Sequence, residues 1–137
     1  MITPVSSAHI NDVWECVKDH VDRAITHVDS GFTLDDVLGK LRESDMQLWV
    51  VNQFDAAVVT QIQVYPQHKV LLFVAVGGSK MDEWLDEMLD VVEEWGRQMG
   101  CRYAEAFGRA GWERAVKHRE FHKVYTVVRK DLSNGQG

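Results

Sequence analysis

The residues best suited to chemistry sit in one tight turn, Gly77-Gly78-Ser79-Lys80. It joins an apolar run, residues 69–76 (KVLLFVAV), to residues 80–99, whose apolar positions recur at helical spacing up to a closing Gly100. A buried strand, a glycine turn and a helix that starts at the turn form a unit able to bind an anion. The first N–H groups of such a helix have no intrahelical partner, and the helix dipole puts positive charge there. Lys80 adds a cation. Asp82 and Glu83 act in the opposite sense, because in the first helical turn they favour the bare helix and repel a phosphate.

Histidines and arginines offer other chemistry. His118 and His122 (HREFH) would share a face if one helix ran through both, but the glutamate between them is not where a zinc protease has it. His20 and His27, two turns apart on the first helix, have no third ligand close in sequence. No metal is expected. His118 can serve as a general acid or base or as a plain surface histidine, and Tyr125 is the nearest tyrosine to it. In GRAGW, Arg109 either pairs locally or meets a ligand or partner, and Trp112 reads as a core anchor at a helix start.

The elements that must position these residues follow from periodicity. A short strand at residues 1–5 precedes a helix in which Ile10, Val13, Trp14, Val17, Val21, Ile25 and Val28 recur at helical spacing up to Ser30-Gly31. Thr33 caps a second helix with Asp35 and Asp36 in its first turn. Residues 46–51, 56–65 and 69–76 form a three-strand meander, with the second strand half-exposed and the third central and apolar on both faces. The long helix begins at Ser79, with Asp82 completing a capping-box pattern. Met81, Trp84, Leu85, Met88, Leu89, Val92, Trp95 and Met99 make its apolar stripe, the face expected to be buried. Its other face carries Asp82, Glu83, Asp86, Glu87, Asp90, Glu93 and Glu94 with no base before Arg97. That is either a solvated face or a docking face for a basic partner through Glu87, Asp90 and Glu94. A strand at 101–107, a short helix at 112–119, a last strand at 124–130 and a polar tail at 133–137 complete one domain, residues 1–132.

Composition excludes several classes. The net charge of −6 argues against nucleic-acid binding and against anionic membrane surfaces. Cys16 and Cys101 are far apart and read as free thiols in a reducing compartment. The first residues lack the basic start and apolar core of a signal peptide, and no apolar run approaches the ~20 residues of a membrane span. A cytoplasmic setting is expected.

This order of elements resembles the GNAT N-acetyltransferase superfamily over nearly the whole chain. Residues 73–102 (FVAVGGSKMDEWLDEMLDVVEEWGRQMGCR) and 108–132 (GRAGWERAVKHREFHKVYTVVRKDL) are locally similar to short GNAT-like proteins of tailed bacteriophages. The resemblance implies an α/β (α+β) fold with a mixed, mostly antiparallel central sheet and helices on both faces. It implies that Phe73, Val74, Ala75 and Val76 face the pantetheine of acetyl-CoA, and that Gly77, Gly78, Ser79 and Lys80 face its pyrophosphate. The reaction would be attack of an amine on the thioester, with the protein positioning reactants and managing protons.

The chain departs from the family pattern twice. The family's phosphate loop reads Arg or Gln, two residues, Gly, one residue, Gly or Ala. Here the loop is shorter, with Lys80 as its one cation. The family's general-acid tyrosine is missing from Val116-Lys117-His118-Arg119-Glu120-Phe121, which leaves His118 and Tyr125 as stand-ins. Two functions follow as expectations. One is a binding or assembly component with a degenerate acetyl-CoA site and no cofactor, with protein partners or further copies of itself, in a host cytoplasm or a phage particle. The other is a working acetyl-CoA-dependent N-acetyltransferase. A domain that senses an acyl-CoA without chemistry falls between them.

Overall fold

The computed structural model describes residues 1–26, 30–107 and 111–133. His27, Arg109 and residues 134–137 of the polar tail, all singled out above, lie outside the described residues. In chain order the elements are β1 (Ile2–Val5), α1 (Ile10–Thr26), α2 (Leu34–Arg42), β2 (Gln47–Val51), β3 (Ala56–Val64), β4 (Lys69–Gly78), α3 (Met81–Gln98), β5 (Tyr103–Ala106) and α4 (Gly111–Val116). The five strands form one sheet in sequence order, antiparallel except for the parallel pair β4 and β5.

Alternation along the strands sends side chains to two cores. Trp49, Val51, Val58, Leu71 and Phe73 meet Trp84, Leu85, Met88 and Val92 of α3 on one face, with Val116 of α4 on the same side. Leu48, Val50, Ala57, Val59 and Ala75 meet α1 and α2 on the other. The central sheet with helices on both faces is therefore as expected. Strand β4 is interior, between β3 and β5, with core on both faces as expected, whereas the first half of β3, Ala56 to Thr60, is buried on both faces instead of half-exposed. Buried Thr60 is reconciled to its apolar surroundings by accepting from the Trp49 indole N–H at 3.1 Å and donating to Gln47 at 2.9 Å.

Helix ends follow local chemistry. The Thr33 hydroxyl accepts from the Asp36 N–H and the Asp36 carboxylate accepts from the Thr33 N–H, a reciprocal cap. At the end of α3, Gly100 takes φ +87, its N–H donates to the Arg97 carbonyl at 3.0 Å, and the Cys101 N–H donates to the Gly96 carbonyl at 2.9 Å. This Schellman arrangement satisfies carbonyls that the helix itself leaves open.

Two further expectations fail. Ser79 does not cap α3. The N-cap is Lys80, in a left-handed conformation with no side-chain cap, because Ser79 is held by the end of the β3–β4 hairpin. The final strand at 124–130 is absent. The α4 helix stops at Val116, a 3-10 turn follows over Lys117–Arg119, and the chain beyond it joins no ladder.

Candidate functional site

The site is built by an irregularity in β4. Val59 pairs with Ala75 but Thr60 with Phe73, so β4 carries one extra residue, Val74, at a bulge. Val74 and Ala75 then both face the α1 core, while Phe73 and Val76 face α3. The parallel ladder with β5 ends at the same place, at Phe73 and Ala106. From Val74 onward β4 is paired only with β3, because β5 ends at Ala106. Between β4, β5, α3 and α4 lies a cleft of about 720 Å³, walled by Phe73, Val76, Met88, Phe107, Trp112 and Tyr125. Its size and apolar lining suit a small-molecule ligand.

The glycine turn beside the cleft is used differently from what its sequence suggests. A Cβ on Gly77 would lie 2.4 Å from the His20 carbonyl oxygen, so α1 rests directly on the strand backbone there. A Cβ on Gly78, at φ +146, would lie 2.3 Å from the Ala56 Cβ. Both glycines are required by close approach of the chain to itself. The Ser79 N–H donates to the Asp55 carbonyl at 3.3 Å, and the Trp84 indole N–H donates to the Ser79 carbonyl at 2.8 Å. A diphosphate in this turn would compete with Asp55 for the Ser79 N–H and would face Asp82 and Glu83 in the first turn of α3. Of the eight residues expected at a cofactor, Phe73 and Val76 line the cleft; Val74, Ala75, Gly77, Gly78, Ser79 and Lys80 do not.

The remaining candidates are separated in space. His118 is outside the cleft, with Nε2 2.8 Å from Asp86 of α3. His122 cannot share a helix face with it, because Glu120 takes a left-handed conformation that ends the 3-10 turn. Tyr125 does line the cleft. Burial, then the Glu105 carboxylate, pushes its phenol up, so it stays protonated and able to donate near neutral pH. The acidic residues expected at a partner already meet cations of their own chain: Glu87 the N-terminal amine at 3.2 Å, Asp90 the Arg119 guanidinium, Glu94 Arg97 at 3.3 Å. Those cations come mostly from residues distant in sequence, which a reading of the helix alone does not reach.

Glu93, placed on the acidic outer face by its sequence position, instead lines the cleft. Glu93 has a side chain only 18% exposed, with one oxygen 3.8 Å from Arg97 and the other enclosed without a hydrogen-bond partner. Burial pushes its carboxyl up, against the opposing pull of Arg119 and Arg97. The signal was present: Glu93 follows Leu89 by one turn and adjoins Val92, at the border of the apolar stripe.

No protein-family model matches the sequence, and no curated protein is similar to it. Solved structures are similar in fold. A predicted acetyltransferase from Clostridium acetobutylicum, solved with acetyl-CoA, superposes with a TM-score of 0.69 at 11% identity, covering 100% of this chain and 99% of that one. Glucosamine-6-phosphate N-acetyltransferase from Arabidopsis thaliana gives 0.66 at 11%, covering 97% and 98%. An aminoglycoside N-acetyltransferase in complex with CoA gives 0.67 at 12%, covering 96% and 93%. The fold of this chain is that of the GNAT acetyltransferases, over essentially its full length.

Proposed function

We propose that this protein is a GNAT-fold binding or assembly component whose acetyl-CoA site is degenerate. The observation that carries this reading is the state of the glycine turn, where the Ser79 N–H, a donor that a diphosphate would need, is given to the Asp55 carbonyl, and α1 packs against the backbone at Gly77. The acidic first turn of α3 adds repulsion. On this reading the partner is another protein or a further copy of the chain, and a phage particle is the setting that the local resemblance implies. A second reading, an acetyl-CoA-dependent N-acetyltransferase acting on an amine, is supported by the open cleft beside the β4 bulge and by a protonated Tyr125 on its wall.

The two separate in a titration with coenzyme A and acetyl-CoA followed by melting temperature. A ligand at a hundred times its dissociation constant stabilises by ~2.7 kcal/mol. The degenerate site predicts no shift with millimolar ligand. Micromolar binding would reject it in favour of the enzyme.

A further inference from the structure

We propose that the cleft binds a flat heteroaromatic ring whose edge carries two parallel N–H donors, an amidine edge of the kind found on a 2-aminoimidazole ring, and that Glu93 is the residue that reads this edge. Glu93 lines the cleft with Met88 and Leu89 of α3. One of its oxygens lies 3.8 Å from Arg97, beyond hydrogen-bond reach, and the other is enclosed with no partner among the described residues. The cations that could satisfy this carboxylate are engaged elsewhere. The Arg119 guanidinium donates to Asp90, and Arg97 donates to Glu94 at 3.3 Å. Around Glu93 the two arginines are offset by Asp90 and Glu120, which leaves its own charge for a ligand. Burial is the largest influence on the group and pushes its carboxyl up, as it does where an ionised form is short of donors. Buried polar groups of native proteins are nearly always hydrogen-bonded. The donors missing here come from outside the chain.

Two features set the class of ligand. A carboxylate offers two acceptors side by side, and their complement is a pair of parallel N–H groups held in one plane. A single ammonium leaves one acceptor unused, and a ring without donors leaves the carboxylate as it is. The walls are the second feature. Phe73, Phe107, Trp112 and Tyr125 line the space, and the rings of Phe107 and Tyr125 stand 6.4 Å apart between centroids at an angle of 67°. Aromatic faces bury a planar ring by stacking or edge contact, and a rigid ring loses less freedom on binding than a flexible chain of equal area. Donors and ring then belong to one rigid body. The volume of about 720 Å³ is that of a pocket for a small organic molecule, so a compound of one or two rings fits. None of this depends on whether coenzyme A binds, and the measurement is made without it.

The test is a calorimetric titration of the full chain at neutral pH with 2-aminobenzimidazole and with benzimidazolone, in which oxygen replaces the amino group. The first should bind saturably. The second should bind at least about tenfold more weakly, a difference of about 1.4 kcal/mol, because its carbonyl turns an acceptor towards the carboxylate. Glu93→Gln keeps the size of the side chain and replaces one acceptor with a donor, so it should weaken 2-aminobenzimidazole by at least about tenfold as well. In the wild type, NOEs from the ring protons of the ligand should reach Phe107, Trp112 and Tyr125. The comparison of the two compounds and the NOEs need no variant. No saturable binding of 2-aminobenzimidazole at millimolar concentration, equal affinity for benzimidazolone, undiminished affinity in E93Q, or NOEs to residues outside the cleft would each overturn the proposal.

Discussion

The two faces of the sheet are closed to different degrees, and the difference lies in what stands between helix and strand. On the α1–α2 face, Val17, Val21 and Val37 have no exposed surface, and Gly77 lets α1 settle until a backbone carbonyl takes the place of a side chain. On the α3–α4 face Trp84 and Val92 are also buried, in one cluster with Trp49 and Val58 of β2 and β3. Towards β5 it opens into the cleft, beside the β4 bulge and the end of the β4–β5 ladder. A glycine pair at a strand–helix junction therefore has two readings. It can expose backbone to a phosphate, or it can admit a neighbouring helix. Here Gly77 serves the sealed face and Gly78 the close approach of β4 to β3 at Ala56, while the cleft lies beside them.

The largest expected effect breaks the sealed face. Gly77→Ala puts a methyl 2.4 Å from the His20 carbonyl oxygen, a backbone atom that cannot rotate away. Gly78→Ala meets the Ala56 Cβ and Cα and also requires an alanine at φ +146. Each should cost about 3 kcal/mol, at the upper end of overpacking, read as a fall in the midpoint of urea denaturation with unchanged slope. A Gly77→Ala variant as stable as the wild type would mean that α1 does not rest on β4, and the turn would again be open to an anion.

Most of this fold was legible because burial writes its period into sequence. The stripe from Ile10 to Ile25, the Thr33–Asp36 cap, the meander and the Met and Trp face of α3 each need only local rules. What was not legible depends on distant partners. The continuous burial of β3 comes from helices on both of its sides, which the run AAVVT does not separate from a strand with one wet face. The alternation at 124–130 describes a strand only where an edge accepts it. The use of Gly77 depends on His20, 57 positions earlier in the chain. At the site, Phe73 and Val76 were within reach of a family pattern, and Glu93 was hidden among six similar acids on one helix.

A smaller effect sharpens the comparison through pH. Burial raises the Glu93 carboxyl on the open face, so the folded chain holds that proton to higher pH than the unfolded chain does. Between the unfolded and folded values the native state binds more protons, and stability falls as pH rises. Asp36, in the α2 cap of the other face, is lowered, first by the Thr33 N–H and then by its hydroxyl. Its contribution is present above the unfolded value and is lost as pH falls through the folded one. Glu93→Gln should raise the melting temperature above the raised Glu93 value and leave it unchanged in acid. Asp36→Asn should lower it near neutrality and converge with the wild type in acid. A Glu93→Gln variant less stable than the wild type at neutral pH would mean that Arg97 and Arg119 outweigh burial.

The smallest effect has the opposite sign and isolates what is special about Gly77. Gly39 lies inside α2, and a Cβ built there meets nothing within 4 Å. Glycine in a helix interior gives up backbone entropy on folding that alanine does not, so Gly39→Ala should stabilise by about 0.5–1 kcal/mol. The same methyl is thus added to two glycines of one core, one on a helix with open space and one on a strand against a carbonyl. If denaturation shows both variants destabilised, α2 packs more closely than its surroundings indicate. If it shows Gly39→Ala gaining and Gly77→Ala losing, the sign of the change follows the contact distance, and the glycine turn belongs to the packing of α1 on β4.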